Sequence, residues 1–571
     1  MRSSFSGYFT SFDGTELFYR AWEPCQPTHE SVLVLHRGHE HSGRVGNIVE
    51  ELEMPERWAF SFDLRGHGMS PGERGWADDF TVWINDLNAF ALFIEKTYST
   101  PLTDMAVVAN SVGAVMTAAW VHDYAPGIRG MVLGTPAFEI KLYVPLALSS
   151  LKLAQNFKKE LFVTSYVRSN LLTRDNSEAK AYDSDPLITK RIAVPVLTSL
   201  FDVSKRILSD AKAIETPTLV LSSENDFVVK NNAQKVFFDR LGSKDKTFRS
   251  FSKFRHAIFH EKDRHIVFSE VRAFLQRAFA KKVYLPAFAG TPRDFTTAEF
   301  QKLLETPTTG KRLYYYALRT ALATLGKTSG GISLGLSQGF DSGASLDYVY
   351  RNRASGKNLL GKAIDRMYLN AVGWRGVRVR KDLVKSAILK VAKKLHEEGK
   401  PLSILDVAAG HASYALECAK ELPFEVSFEC RDTNANNLEA VKRLAEAKGI
   451  SRLSVKLQDA FAPVVTEKKY TIAIVSGLYE LVEDNRMVAS SLQNIFSELE
   501  MGGYLIYTGQ PWHPQLELIG RVLNNHKGKR WLMRRRIQTE MDELVQRAGF
   551  RKIETYVEGQ GIFTTSIAQK P

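Results

Sequence analysis

The run Val108-Ala109-Asn110-Ser111-Val112-Gly113 places one serine between an apolar stretch, Met105 to Ala109, and a second apolar run that begins near Val112. A strand that turns sharply into a helix lifts a serine hydroxyl clear of a sheet. Small residues are needed two before and two after the serine, where the backbones crowd, and Ala109 and Gly113 hold those positions. Upstream, the strand-like Ser31 to Leu35 runs into His36-Arg37-Gly38-His39-Glu40-His41-Ser42-Gly43-Arg44, a loop whose backbone N–H groups could face a developing oxyanion. Far downstream, Thr218 to Ser222 reads as a strand ending in Glu224-Asn225-Asp226, and Phe254-Arg255-His256 follows. Serine, acid and histidine are the parts of a nucleophilic acyl-transfer site. His260 and His265 compete with His256, and Asp202, which precedes the strand, competes with Asp226.

With Asp63-Leu64-Arg65-Gly66-His67-Gly68-Met69-Ser70 between the loop and the elbow, the chain up to about residue 280 resembles the monoglyceride-lipase and lysophospholipase branch of the α/β-hydrolases, in which the triad runs in the order Ser, acid, His. The resemblance implies Ser111 as nucleophile, His256 as general base, Asp226 as the residue orienting it, and the backbone N–H groups of Gly38 and Val112 as oxyanion donors. It favours His256 because the family histidine stands a few residues before Glu261-Lys262-Asp263. Two departures stand out: Ala109 replaces a family glycine, and Arg37 stands where the family has glycine. The Arg37 guanidinium either reaches an anionic headgroup or points to solvent.

Residues 136–214 interrupt the strand-helix alternation, and the resemblance implies a helical cap there, with Asp185-Pro186-Leu187 as its late motif. Leu142 to Leu151 reads as part of a lid or a membrane-surface helix; an ordinary amphipathic helix pair packed on the core is the other reading. His36, His39, His41 and His67 lack metal-ligand spacing, so no metal is expected and they are read as pinning loops by hydrogen bonds.

A chain of 571 residues is too long for one core. Residues 1–280 carry 33 basic and 33 acidic side chains and the remainder 43 and 30, so all of the +13 net charge lies in the second half. A boundary near 280 follows, with 281–292 as linker, a helical extension over 293–380, and a further domain over 381–571. Three widely spaced cysteines, Cys25, Cys418 and Cys430, argue against a disulfide framework. With no apolar run of 18 to 20 residues and no signal-peptide core, a cytoplasmic setting is expected, with peripheral contact to the inner membrane face left open.

In the second half, Pro401 to Val407 reads as a strand ahead of the small-residue turn Ala408-Ala409-Gly410-His411-Ala412, where a ligand can approach the backbone and meet helix N–H groups. Glu425 to Cys430 leads to Arg431-Asp432, Leu453 to Leu457 to Gln458-Asp459-Ala460-Phe461, and Tyr470 to Val475 to Ser476-Gly477-Leu478-Tyr479-Glu480; Leu499 to Tyr507 closes the series. These ordered blocks resemble class I S-adenosylmethionine-dependent methyltransferases. The resemblance implies a Rossmann-like α/β domain with S-adenosyl-L-methionine as cofactor: Asp406, Ala408 and Gly410 at its methionine side, Asp432 at the ribose, Asp459 and Ala460 at the adenine, and Ser476 opening the loop that faces the acceptor. An NAD-binding Rossmann domain is the rival, disfavoured by the absent GxGxxG spacing.

Residues 293–380 read as mostly helical, apart from Gly330 to Gly335, and as a cover for the acceptor. Their interleaved aromatic and basic residues would also suit RNA, although no RNA-binding signature accompanies them. The whole reads as a bifunctional α/β enzyme: a serine hydrolase for lipid-type esters joined to a methyltransferase with a lipid-related acceptor. The competing readings are one domain kept for binding or regulation, and a nucleic acid as acceptor.

Overall fold

Strands of five or six residues that are apolar throughout belong in sheets covered on both faces, and the first half is built on them. The computed structural model describes residues 2–144, 146–155, 157–158, 160–281, 293–464 and 467–571. Its strands are β1 (Ser4–Thr10), β2 (Glu16–Trp22), β3 (Ser31–Leu35), β4 (Trp58–Phe62), β5 (Met105–Asn110), β6 (Gly130–Gly134), β7 (Phe162–Thr164), β8 (Arg191–Ala193), β9 (Thr218–Ser223) and β10 (Lys246–Phe251). Eight of them form one sheet in the order β1-β2-β4-β3-β5-β6-β9-β10. From β4 to β10 neighbours run parallel, whereas β1 and β2 pair antiparallel with each other and β2 antiparallel with β4. Every residue of β3, β5, β6 and β9 is buried, which explains why β3, β5 and β9 were legible as continuous apolar runs.

This is the α/β-hydrolase fold with its cap. The cap carries helices at Ala147–Gln155, Ser169–Leu172, Asn176–Ser184 and Val194–Asp210, and it also holds an antiparallel ribbon of β7 and β8. The ribbon takes Phe162 to Thr164, in a stretch expected to be helical.

The chain divides into two compact units, Met1–Ala287 and Phe288–Pro571, close to the expected boundary near 280. Apart from Lys281, the expected linker lies outside the described residues. The second unit has a seven-stranded sheet of β11 (Ser403–Val407), β12 (Ser427–Asp432), β13 (Leu453–Leu457), β14 (Tyr470–Val475), β15 (Leu499–Gly509), β16 (Arg551–Val557) and β17 (Thr564–Gln569), in the order β13-β12-β11-β14-β15-β17-β16. The first five are parallel, while β17 runs antiparallel to both neighbours. A dinucleotide-binding sheet would continue as strand six directly beside strand five. The inserted antiparallel strand gives instead the Rossmann-like order of class I methyltransferases.

The helical extension does not stop at 380. One helix runs from Val372 to Glu397 through the expected boundary and buries Val384, Ile388 and Val391 against β11 and β14 residues in the core of this sheet. Gly330 to Gly335, expected to break the helical pattern, lies inside a helix, Gly330–Gln338. Ser329 caps it by accepting from the Ile332 N–H, and the glycines serve packing: a Cβ on Gly335 would sit 2.4 Å from the Phe340 ring.

Candidate active sites

Ser111 sits at the bend between β5 and the helix Val112–Tyr124, with φ 55° and ψ −112°. Such a conformation costs a non-glycine residue about 1–3 kcal/mol and persists only where the surroundings impose it. The surroundings do so here. Ser111 N–H donates to Gly134 O at 2.8 Å, Ala137 N–H donates to Ser111 O at 3.1 Å, and a Cβ on Gly113 would lie 2.7 Å from His36 O. Gly113 is therefore obligatory at the crossing of helix and loop. Ala109 is not anomalous: it lies fully buried in mid-sheet, between Leu35 and Leu133 in register, where its Cβ is accommodated.

Three elements distant in sequence converge on this serine. His256 Nε2 lies 2.7 Å from Ser111 Oγ, and His256 Nδ1 lies 2.8 Å from Asp226 Oδ2. The other Asp226 oxygen accepts from the N–H groups of Val228 and Val229 at 2.8 and 2.9 Å, which fixes the carboxylate plane. All three side chains are buried. Gly38 packs against Val112, so that a Cβ on Gly38 would meet Val112 Cγ2 at 3.1 Å. Val112 opens the helix, where N–H groups have no intrahelical acceptor. Ser111, His256, Gly38 and Val112 all border one cavity of about 330 Å³, whose other walls come largely from apolar cap residues such as Leu142, Val163 and Leu197. The arrangement can deprotonate a serine hydroxyl against an apolar acyl group.

The rivals lie elsewhere. His260 Nε2 is 3.1 Å from Arg44 O, His265 is exposed, and Asp202 pairs with Lys152 at 2.6 Å on the surface. The loop histidines act as pins: His36 bridges Arg37 O and the Leu64 N–H, while His41 bridges the Gly43 N–H and Asp185 Oδ2. The last contact ties the loop after β3 to the cap motif. Burial pushes His39 and His260 down to about 4, so both are neutral near pH 7.

Arg37 does not point to solvent. It is 5% exposed, its Nε donates to Glu40 Oε2 at 2.9 Å, and its Nη2 bonds the other Glu40 oxygen. Burial alone would raise the Glu40 carboxyl, but the charge and hydrogen bonds of Arg37, with Arg44, hold it below the ordinary carboxylate range. What Arg37 retains is one buried donor without a partner, Nη1, on a side chain that borders the cavity. Glu261, marked in the sequence only as part of the motif after His256, is fully buried; it accepts from the Arg255 N–H at 2.8 Å and from Arg174 and so clamps the loop carrying His256.

In the second unit, Ala408, Gly410, Asp432 and Ser476 border a cavity of about 660 Å³ at the ends of β11, β12 and β14. Ala408, Gly410 and Ala412 all take the left-handed conformation, with φ of 56°, 55° and 50°. A Cβ on Gly410 would enter open space, so the bare backbone faces the cavity. Asp432 accepts from the N–H groups of Gly410 and Asn434 at 2.9 and 2.8 Å, leaving carboxylate lone pairs for hydroxyl donors. The turn then feeds the helix Ser413–Glu421. This donor set and volume fit a nucleoside-sized ligand.

Three expected residues do not line this cavity. Asp406 is buried behind it, accepting from Tyr414 Oη at 2.9 Å, with its Oδ2 unpartnered. Asp459 is exposed and accepts from the Phe461 N–H, and Ala460 packs on the apolar core. The helical extension contributes instead: Asp347 bonds His411 and Ser413 at 2.6 Å each, and Arg380 pairs with Glu480 at 3.0 Å. Nothing in the motif pattern marked Asp347 or Arg380, because they precede the first strand.

Two family models match the chain. One, described as "Putative methyltransferase", spans residues 271–570; the other, "Serine aminopeptidase, S33", spans residues 26–263. The protein YnbC of Escherichia coli (strain K12) is 42% identical over 570 residues, covering 98% of this chain and 97% of its own. The monoglyceride lipase of Rattus norvegicus is 26% identical over 259 residues, 44% of this chain and 84% of the lipase. The crystal structure of the Paleococcus ferrophilus monoacylglycerol lipase shares 24% identity and a TM-score of 0.43, covering 46% of this chain and 99% of that one. Since the first model spans more than half of the chain and one relative matches nearly end to end, the chain belongs to this methyltransferase family and carries an α/β-hydrolase domain ahead of the methyltransferase domain.

Proposed function

We propose that the first unit is a serine hydrolase for neutral lipid-type esters, monoacylglycerols foremost, and that the second is an S-adenosylmethionine-dependent methyltransferase with a lipid-related acceptor. The hydrogen-bonded run Asp226–His256–Ser111, opening on an apolar cavity, carries the first half of this reading. Ser111 Oγ attacks the ester carbonyl while His256 Nε2 takes its proton. The imidazolium, held by Asp226, then protonates the departing glycerol oxygen, leaving an acyl-Ser111 ester. Water attacks that ester, gives its proton to His256, and releases the fatty acid as the proton returns to Ser111. The N–H groups of Gly38 and Val112 hold the oxyanion in both steps, each worth roughly 10²-fold in rate.

The monoglyceride-lipase relatives support the ester class. Arg37 bears on the headgroup. Glu40 neutralises its charge, and the remaining Nη1 donor suits a glycerol hydroxyl better than a phosphate. A lysophospholipid is the second reading, and relative rates on monoacylglycerol and lysophosphatidic acid separate the two.

S-adenosylmethionine, when bound, supplies an electrophilic methyl group. Ala408 and Gly410 offer it bare backbone, Asp432 accepts ribose hydroxyls, and Ser476 borders the side of the cavity toward β14. The reading includes peripheral contact with an anionic membrane surface. Among the described residues, no helix is long and apolar enough to cross a membrane, and no group of His, Cys, Asp and Glu is placed to hold a metal.

Ser111→Ala should lower turnover of a short p-nitrophenyl ester by at least about 10³-fold while leaving the calorimetric binding of S-adenosylmethionine unchanged. Full retained turnover would overturn the hydrolase assignment. Absent cofactor binding would leave the second unit a binding or regulatory module, and label from S-adenosylmethionine in RNA but in no lipid would replace the lipid acceptor.

A further inference from the structure

Beside the cavity read as the cofactor site lies a second chamber of about 290 Å³ in the same unit. Asp341, Leu346, Arg380, Gly477 and Leu481 border both, so the two share a wall. Gly477 lies in that wall with φ 75°, and a Cβ there would stand 3.1 Å from the Arg380 guanidinium. The rest of the chamber is mostly apolar, with Trp374, Val377, Ile519, Trp531 and Phe563 among its walls.

Its charged groups answer one another. Arg380 pairs with Glu480 at 3.0 Å, and Asp341 pairs with His526 at 2.9 Å. His513, in its wall, is pushed down to about 4 by burial and is neutral near pH 7. Among the described residues of its wall, an anionic ligand group would find no unpaired cation.

The unanswered groups are neutral. Gln510 is 3% exposed, and neither its Nε2 nor its Oε1 has a hydrogen-bond partner; the Trp531 Nε1 is likewise buried without one. A buried amide with both ends unpaired is costly, and native proteins keep such groups rarely. A ligand hydroxyl would answer them, accepting from the amide or indole N–H and donating to the amide oxygen.

We propose that this chamber binds the methyl acceptor, and that the acceptor is an uncharged, largely apolar molecule bearing a hydroxyl head read by Gln510 and Trp531. The inference rests on reading the adjoining cavity as the S-adenosylmethionine site. The extension, expected to cover the acceptor, and the loop after Ser476 supply part of its walls, while Gln510 and Trp531 come from the segment after β15, where no motif marked them.

The test uses the full-length protein and a photoreactive dodecanol carrying a diazirine, with cross-linked peptides identified by mass spectrometry. Label is expected in peptides containing Trp374 and Trp531. Gln510→Leu should reduce that label about tenfold without lowering the melting temperature, since an apolar side chain removes the unpaired amide. Dodecanoate and dodecane should compete poorly against the labelled alcohol. Label confined to the first unit would overturn the proposal. So would undiminished chamber label in Gln510→Leu, which would assign the amide to the void of about 10 Å³ that it also borders. Calorimetry with S-adenosylmethionine runs in parallel: cofactor binding with no chamber label sinks this inference alone, whereas chamber label without cofactor binding sinks the methyltransferase reading on which it rests.

Discussion

At the residue scale, the most informative titratable group outside the triad is Asp406. Burial, with the nearby charge of Asp432, pushes its carboxyl up to about 8, although the Tyr414 hydroxyl opposes the shift. The unfolded chain would lose that proton near the ordinary 3.8. Between those values the folded state holds more protons than the unfolded one, so stability falls as pH rises from about 4 to about 8 and levels off above. Asp406→Asn keeps the neutral form at every pH. Its urea midpoint should match wild type near pH 4 and exceed it at pH 9, and equal midpoints at pH 9 would show that the carboxylate is compensated. Gly113 gives a second prediction at this scale. With its Cβ position 2.7 Å from His36 O, Gly113→Ala should displace the oxyanion loop and cost about 1–3 kcal/mol of stability. Denaturant melts would check the cost, and esterase activity should fall with it.

At the element scale, many hydrogen bonds and ion pairs hold the cap to the sheet domain, Thr173 to His260 O and Arg174 to Glu261 among them. His41 Nε2 meets Asp185 Oδ2 at 2.9 Å, Thr189 N–H donates to His39 O at 3.2 Å, and Ala193 N–H donates to Gly75 O at 2.9 Å. Gly75 has φ 76°, and a Cβ there would lie 2.1 Å from Arg191 O. Gly75→Ala should therefore push β8 and the adjoining cap wall away from the acyl cavity. We expect KM for a long-chain monoacylglycerol to rise about tenfold, equivalent to about 1.4 kcal/mol, while turnover of a short p-nitrophenyl ester changes little. Equal losses on both substrates would place the damage at Ser111 instead.

Elements also explain what was legible. The buried parallel strands write themselves as apolar runs, so β3, β5, β9, β11 and β14 were found within a residue or two. The proposed triad was marked in the sequence because Ser111 and Asp226 follow such strands and His256 stands just ahead of a family motif. The short ribbon of the cap, half-buried and only three residues per strand, leaves no such run. Gly330 to Gly335 misled for a different reason: glycines lower helix propensity, yet here they admit Phe340 and Tyr368 against the helix, and packing outweighs propensity. Arg37 and Glu40 stood three residues apart in plain view, but only the folded loop makes them a neutral pair.

At the scale of the whole chain, the basic excess of the second half acquires a location. The turn Leu325–Thr328 packs on the start of the helix Leu359–Leu369: Lys357 N–H donates to Thr328 O at 3.0 Å, and a Cβ on Gly361 would meet the same oxygen at 2.3 Å. This brings together Leu325, Leu359 and Leu360, which are 58%, 86% and 57% exposed, with the exposed Lys327, Lys357 and Lys362. No acidic residue occurs between Glu305 and Asp341. Leucines ringed by lysines suit an anionic bilayer surface, where each lysine contributes about 1 kcal/mol and each buried leucine about 1.5–3 kcal/mol. Contact there would also serve the proposed chemistry, since both proposed substrates partition into lipid and one chain would meet them at the same surface. Leu359→Asp combined with Leu360→Asp should weaken co-sedimentation with phosphatidylglycerol-containing vesicles by at least about 100-fold, given the burial of two leucines and the added negative charge. Wild-type binding should weaken as salt is raised and be small on phosphatidylcholine alone. Short-ester turnover of the double variant should equal wild type, because these residues belong to the second unit and border neither the ester cavity nor the cofactor cavity. Unchanged vesicle binding in the variant would move the membrane contact away from this tip, and absence of binding in wild type would remove the membrane from the reading altogether.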